Sequence, residues 1–219
     1  GGAPKEEYNT PSMERIEKGI ENLEKHIENC MHFGITPVVA LNHFPTDSEE
    51  EIQYVIDRCA LKGVKAVVAR GFSQGGDGMR DLAREVIEVL ESGRNAFAPL
   101  YHWDSPVKEK IEKIAKTIYG ADGVQYTKEA ESDLKTIEKL GLSALPICMA
   151  KTQKSFSDDE RKIGRPRGFY VTVREFEFAV GAGFIIPILG EMMRMPGLPV
   201  VPASEGMDID ANGVISGLS

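Results

Sequence analysis

Apolar residues recur at steps of three and four along residues 12–33, the spacing that places them on one face of a helix. Charged residues fill most of the other positions, and Gly34 follows as a stop signal. The next segment, Ile35–Leu41, is short, apolar and rich in valine, without polar alternation. Such a run predicts a strand of a parallel sheet that is covered on both faces.

Helix and strand signals alternate as far as Ala150. Ser48 and Glu51 form a capping box, which predicts a helix over 48–61. The further predicted elements are strands at Val64–Ala69, Ala96–Tyr101, Val124–Tyr126 and Leu145–Ala150, and helices after the glycine-rich stretch 71–78 and at Ser105–Tyr119 and Lys128–Leu140. Strand–helix units in series favour parallel pairing. We therefore predict an α/β domain over 1–150, with a mostly parallel sheet flanked by helices.

The pattern changes after Ala150. Residues 151–168 are polar and predict a long loop, Phe169–Leu189 alternates like a strand, and residues 195–202 are irregular and rich in proline. We predict that 151–219 form a loop-rich C-terminal extension that contains strands and packs on the same domain.

Composition and charge exclude several classes of protein. Apolar residues make up 42% and charged residues 27%, which excludes a disordered chain or a fibre. The net charge of −8, from 26 basic and 34 acidic residues, argues against a nucleic-acid or anionic membrane partner. The longest apolar stretch has about 12 residues, short of the roughly 20 that a spanning helix needs. Three dispersed cysteines and no secretory signal predict a cytoplasmic protein.

The sequence predicts no metal site. Asp208–Gly213 matches the start of an EF-hand, but the twelfth position is Ser219 rather than glutamate, so Asn212–Gly213 is predicted to be a type I′ hairpin turn. The four histidines have no metal-ligand spacing; His26 and His32 are predicted on a helix surface.

Two aromatic residues follow successive predicted strands. Phe44 and Phe72 would project from loops at the carboxyl edge of the sheet, where ligands bind in open parallel sheets. Two facing rings there would sandwich a flat heteroaromatic ligand, with His43 at its border. The alternative is that each ring covers a helix end.

Two loops carry weaker signals. Gly71–Gly78 could cradle a phosphate, but it lacks the Lys-Ser/Thr of a P-loop, so its glycines can equally serve positive φ or close backbone approach. Lys151–Asp159 brings hydroxyls, cations and carboxylates together, which fits either a polar ligand site or a solvated loop.

Several stretches in the same order resemble the C-terminal part of formate–tetrahydrofolate ligases. They are Val38–Asp47, Gly75–Gly78, Lys116–Asp122, Leu145–Thr152, Gly181–Phe184 and Met195–Pro199. Gly1-Gly2 resembles the end of a Lys-x-His-Gly-Gly signature, so we expect the chain to be a piece of a longer enzyme. No G-x-x-x-x-G-K-[ST] occurs in the 219 residues.

The resemblance implies an ATP- and Mg-dependent ligase that joins formate to tetrahydrofolate through formyl phosphate. It implies that the phosphate loop lies in the N-terminal portion of the enzyme, that this piece is inactive alone, and that the enzyme is a homo-oligomer. Phe44 and Phe72 match two aromatics that stack on the pterin ring, although the second position commonly carries Trp. Asn42 and Pro45 adjoin the first of them.

The resemblance also implies a role near the nucleotide for Lys151, Thr152 and Ser155. Two other classes remain open. One is a non-catalytic α/β binding or assembly module that docks onto a separate ATP-binding chain. The other is an unrelated nucleotide-binding domain without a preference for folate.

Overall fold

A computed structural model describes residue 2, residues 4–190 and residues 200–217 of the chain. The helices are α1 (Met13–His32), α2 (Glu49–Leu61), α3 (Gly71–Gln74), α4 (Arg80–Glu91), α5 (Val107–Ile114) and α6 (Lys128–Lys139). The strands are β1 (Val39–Asn42), β2 (Ala66–Ala69), β3 (Gly123–Tyr126), β4 (Tyr170–Ala179), β5 (Phe184–Leu189), β6 (Asp208–Ile209) and β7 (Ile215–Ser216). The Met195–Pro199 motif and most of the irregular stretch 195–202 lie outside the described residues.

The first half of the chain is built around a pair of parallel strands. β1 and β2 pair in register from Val39 opposite Ala66 to Asn42 opposite Ala69. Helices α1 and α2 pack on this pair, and a small core forms between them from Ile27, Cys59 and Val64. The predicted capping box is confirmed, because Ser48 and Glu51 make both of its reciprocal hydrogen bonds.

The second half is built around a mixed sheet in the order β3-β4-β5. β3 and β4 are parallel, whereas β4 and β5 form an antiparallel hairpin. The larger core lies between this sheet and helices α5 and α6, and its fully buried members are Ile111, Ala115, Ala130, Ile137, Val171, Val173, Ile185 and Leu189. This core draws on residues from both sides of position 150.

The α/β prediction is confirmed, but two predicted strands are not formed as such. Ala96–Tyr101 is irregular: it contains Pro99, which has no N–H to donate, and the Tyr101 hydroxyl rather than its backbone accepts the N–H of Ile147 at 3.0 Å. Leu145–Ala150 is reduced to two isolated parallel bridges to β5, at Ile147 and Ala150.

The C-terminal hairpin is present with a different turn from the predicted one. β6 and β7 pair antiparallel, but a type I′ turn needs positive φ at both central residues, and only Gly213 (φ 81°) has it. Asp210 explains the geometry, since its carboxylate accepts the N–H groups of Asn212 and Val214 at 2.8 and 2.9 Å.

Helix α1 connects the two halves. A π-helical turn, Ala115–Tyr119, follows α5 and turns its carbonyl groups toward α1. The Lys25 ammonium donates to the Thr117 carbonyl oxygen at 2.6 Å, and the Asn29 amide donates to that of Ile118 at 2.9 Å. Within the described ranges, no helix combines the length and the apolarity needed to cross a membrane.

Candidate ligand-binding site

The carboxyl ends of β1 and β2 open onto two adjacent loops. The strands are parallel and in register, so the loops after Asn42 and Ala69 begin side by side. The N–H of His43 donates to the Ala69 carbonyl oxygen at 3.1 Å, which extends the ladder one residue beyond β1. Phe44 and Phe72 follow within three residues of this edge, as predicted from the sequence.

Phe44 is held in a four-residue turn. The N–H of Asp47 donates to the Phe44 carbonyl oxygen at 3.0 Å, and a carboxylate oxygen of Asp47 accepts the N–H of Phe44 at 2.8 Å. Pro45 occupies the second position of the turn, where its fixed φ is favourable, and it restricts Phe44 to extended backbone. The backbone that carries the Phe44 ring is therefore fixed from several directions.

Phe72 lies on the short helix α3 inside a closed loop. The N–H of Arg70 donates to the Gly78 carbonyl oxygen at 3.0 Å, which closes the loop at its base. A Cβ on Gly78 would lie 2.5 Å from the Arg70 carbonyl oxygen, so only glycine fits there. Gly75 ends α3 with φ +56°. Gly78 thus allows a close backbone approach and Gly75 a positive φ, which were the alternative roles predicted for the glycines of this loop.

Both rings are exposed. Phe44 is 51% and Phe72 86% exposed, so Phe72 covers no helix end. Among the described residues the close ring pairs are His26–Phe156 and Phe33–Phe97, and Phe44 and Phe72 are not in ring contact with each other. The fold brings the two loops to one edge and leaves both rings available to a ligand.

A cleft of about 330 Å³ lies beside the Phe44 turn, between β1, α2 and the N-terminal segment. Asn42, His43 and Asp47 line it, whereas Phe44, Pro45 and Phe72 do not. Glu51 also lines the cleft. Its carboxylate accepts the N–H of Ser12 at 2.6 Å and that of Ser48 at 3.1 Å. Burial would raise the pKa of Glu51, but these hydrogen bonds lower it overall.

The predicted nucleotide loop lines a second cleft, of about 630 Å³, between α1 and the π-helical turn. Lys151, Thr152 and Ser155 all border it, but their polar groups are engaged inside the loop. The Lys151 ammonium donates to the carbonyl oxygens of Thr152 and Ser155 and lies 4.9 Å from the centroid of the Tyr119 ring. The Ser155 hydroxyl accepts the N–H of Ser157 at 3.0 Å.

Helix α1 supplies a polar stripe to this cleft that sequence reasoning missed. The cleft is bordered by three polar residues of α1, Asn22, His26 and Asn29. Their spacing of four and three residues places them on one helix face, and this spacing can be seen in the sequence. Burial, followed by the charges of Lys151 and Lys25, lowers the pKa of His26. Asn29 is 8% exposed, and its Oδ1 has no hydrogen-bond partner within the described part of the chain.

A third cleft, of about 380 Å³, was also not predicted. It lies between the irregular segment 97–103 and the π-helical turn, and its aromatic lining consists of Phe33, Phe97, Tyr101, Trp103 and Tyr119. Phe97 and Trp103 are 67% and 57% exposed. The apolar residues of 96–101 that resemble a strand in composition therefore line this cleft instead of forming a strand.

A family model described as formate–tetrahydrofolate ligase matches residues 1–219. The chain belongs to the formate–tetrahydrofolate ligase family. The match spans both halves of the fold and therefore includes the Phe44 and Phe72 loops and the Lys151 loop. It supports formate–tetrahydrofolate ligation as the general activity, with ATP, Mg²⁺ and tetrahydrofolate as the ligands that the family uses.

The described residues of this ligase-family chain fit these ligands unequally. Exposed aromatic rings, such as those at the β1–β2 edge, stack in general on flat heteroaromatic rings. Within the described ranges, no group of three or more His, Cys, Asp or Glu could hold a metal ion, so no Mg²⁺ site is identified there. The loop 71–78 closes on itself through the hydrogen bond between Arg70 and Gly78.

Proposed function

We propose that this chain contributes the pterin-stacking side of the site in a formate–tetrahydrofolate ligase. The observation that carries the proposal is the pair of exposed rings, Phe44 and Phe72, on internally bonded loops at one edge of a parallel sheet. Each stacked ring contributes roughly 0.5–1.5 kcal/mol beyond area burial. The role of the chain is then to bind and orient the folate.

Asn42 and Pro45 complete the folate side in this proposal. Asn42 borders the cleft beside the Phe44 turn and offers an amide to the polar edge of a pterin. Pro45 acts through the turn, because its fixed φ holds the Phe44 backbone. Orientation of this kind supplies several kcal/mol to a reaction between two bound partners.

The second cleft is proposed to face the nucleotide. Lys151 and Thr152 border it together with His26, whose ring centroid lies 4.8 Å from that of Phe156 and offers a stacking surface. The unpartnered Oδ1 of Asn29 is an acceptor for an amino group. Ser155 contributes indirectly, since its hydroxyl organises the loop.

The proposal includes a partner for these residues. The chain acts as the C-terminal part of the ligase, the N-terminal portion of the same enzyme supplies the P-loop and the ATP and formate chemistry, and the enzyme is a cytoplasmic homo-oligomer. We expect no turnover from residues 1–219 alone, and turnover with ATP, Mg²⁺ and formate when the N-terminal portion is added.

The assembly-module alternative has one observation in its favour. The exposed aromatic wall of Phe97 and Trp103 offers an apolar surface to another chain. A module of that kind would bind an ATP-binding chain without binding folate. Binding of tetrahydrofolate to the chain therefore separates the two functions.

Titration of tetrahydrofolate by calorimetry tests the stacking proposal. Phe44→Ala and Phe72→Ala are each expected to weaken binding about tenfold, because each removes one stacked ring and its apolar contact area. Leu61→Ala is the matched control: Leu61 is 80% exposed at the far end of α2 from the Phe44 turn. Parent-like affinity of both Phe variants would overturn the proposal.

A further inference from the structure

Asp47 makes two hydrogen bonds with one residue, and that residue carries a candidate stacking ring. Its N–H closes the turn on the Phe44 carbonyl oxygen, and its carboxylate accepts the Phe44 N–H at 2.8 Å. Both backbone polar groups of Phe44 are thus satisfied by a single partner.

The turn is also anchored on both sides of this pair. On one side, the N–H of His43 is bonded to β2. On the other, Ser48 caps α2 and is held by Glu51. Asp47 is therefore the connection between two fixed points, and the Phe44 ring between them is about half exposed to solvent.

We propose that Asp47 is a positioning residue for folate binding, which acts by fixing the Phe44 backbone so that its ring is ready to stack. The proposal rests on the proposed pterin-stacking function. Its physical basis is preorganisation: a ring already held in the bound geometry loses less conformational freedom when the ligand binds. Asp47 itself is not required to touch the ligand.

The discriminating pair of variants is Asp47→Ala and Asp47→Asn. Asparagine retains an acceptor oxygen for the Phe44 N–H, whereas alanine leaves that N–H to water. We expect Asp47→Ala to weaken tetrahydrofolate binding by about tenfold and Asp47→Asn to stay within about twofold of the parent. Asp57→Ala is the control, an exposed carboxylate on α2 that accepts from Gln53.

A double-mutant cycle with Phe44 tests whether Asp47 acts through the ring. In the Phe44→Ala background, Asp47→Ala is expected to cause no further loss of affinity, because there is no ring left to position. A full additional loss, or parent-like affinity of Asp47→Ala alone, would overturn the inference. If Phe44→Ala itself binds like the parent, or if the parent chain does not bind tetrahydrofolate, the proposed stacking function is wrong. The inference about Asp47, which rests on that function, is then wrong as well.

Amide hydrogen exchange gives a readout that does not depend on the ligand. Exchange of the Phe44 N–H is expected to accelerate about tenfold or more in Asp47→Ala and to remain close to the parent in Asp47→Asn. The amides within α2 should exchange as in the parent in both variants. Unchanged protection of the Phe44 N–H in Asp47→Ala would show that another group holds the turn, and the inference would be wrong.

Discussion

Phe44 and Phe72 leave ring surface in water although the molecule has two cores that bury aromatic and aliphatic side chains. Full burial of a phenylalanine ring stabilises a protein by roughly 1.5–3 kcal/mol. The exposed part of each ring does not contribute this free energy to the folded state. Local choices that work against stability concentrate at functional sites. In the proposed function, a stacked ligand covers both rings.

Phe72 gives a prediction at the scale of one side chain. Phe72→Trp is expected to tighten tetrahydrofolate binding about two- to fivefold, because an indole presents a larger stacking surface than a benzyl ring. Phe72→Leu, which keeps much of the apolar area without the ring, is the control and should weaken binding. Equal affinities for the Trp, Phe and Leu forms, measured by calorimetry, would contradict stacking at this position.

The two loops are placed by the elements that precede and follow them. β1 and β2 have only four residues each, yet their parallel register brings the two loop starts together. The capping box of Ser48 and Glu51 then fixes where α2 begins. The strand ends and the helix cap together determine the length and the path of the Phe44 turn.

The cap yields a prediction at the scale of an element. Ser48→Ala is expected to lower the free energy of unfolding by about 1 kcal/mol, since the N–H of Glu51 loses its partner at the start of α2. Urea denaturation monitored by circular dichroism measures this change. Ser132→Ala, on the exposed side of α6, is the matched serine deletion and should have little effect. Equal midpoints for the two variants would rule out the cap as a stabilising feature.

Helix α1 contacts both halves of the molecule. Besides Lys25 and Asn29, the carboxylate of Glu28 makes such contacts. Glu28 accepts from the Arg165 guanidinium at 2.6 and 3.1 Å and from the Lys62 ammonium at 2.8 Å. It therefore ties α1 both to α2 and to the loop that precedes β4. Burial would raise the pKa of Glu28, but the hydrogen bonds from Arg165 and Lys62, and their charges, lower it to about 2.

This carboxylate gives a pH-dependent prediction for the whole fold. Because the folded-state pKa is depressed, the stabilisation is complete above about pH 4.5 and is lost as the pH falls toward about 2. Glu28→Gln is expected to lower the free energy of unfolding by about 1–2 kcal/mol at pH 7 and by less at pH 3, after allowance for solvent screening. Urea unfolding at both pH values checks this.

Glu14→Gln is the control for this prediction, because Glu14 lies on the same helix and pairs with Lys18 at the protein surface. The control should leave the free energy of unfolding close to the parent value. A Glu28→Gln deficit of the same size at pH 7 and at pH 3 would contradict the proposed role of the ionised carboxylate.

Features that depend on neighbours along the chain could be predicted from the order of the amino acids. Helix spacing, the Ser48–Glu51 cap and the runs that became β1, β2 and β3 were all predicted, because helix hydrogen bonds and caps join residues a few positions apart. The positions of Phe44 and Phe72 at one sheet edge followed from strand order alone. The loop after Ala150 was also predicted, because the polar composition of residues 151–168 is a local property of the sequence.

Which segments paired with a distant segment depended on long-range packing. Ala96–Tyr101 has strand-like composition, but it does not form a strand. The N–H groups of Ala96 and Ala98 donate to the carbonyl oxygens of Gly34 and Phe33, and Pro99 has no N–H to extend this pairing. The cleft at His26 likewise arises where α1 meets the π-helical turn, more than eighty positions further along the chain. The cleft at Trp103 arises where the segment 97–103 faces the same turn. Contacts over such separations depend on how finished elements pack, and local residue patterns do not record them.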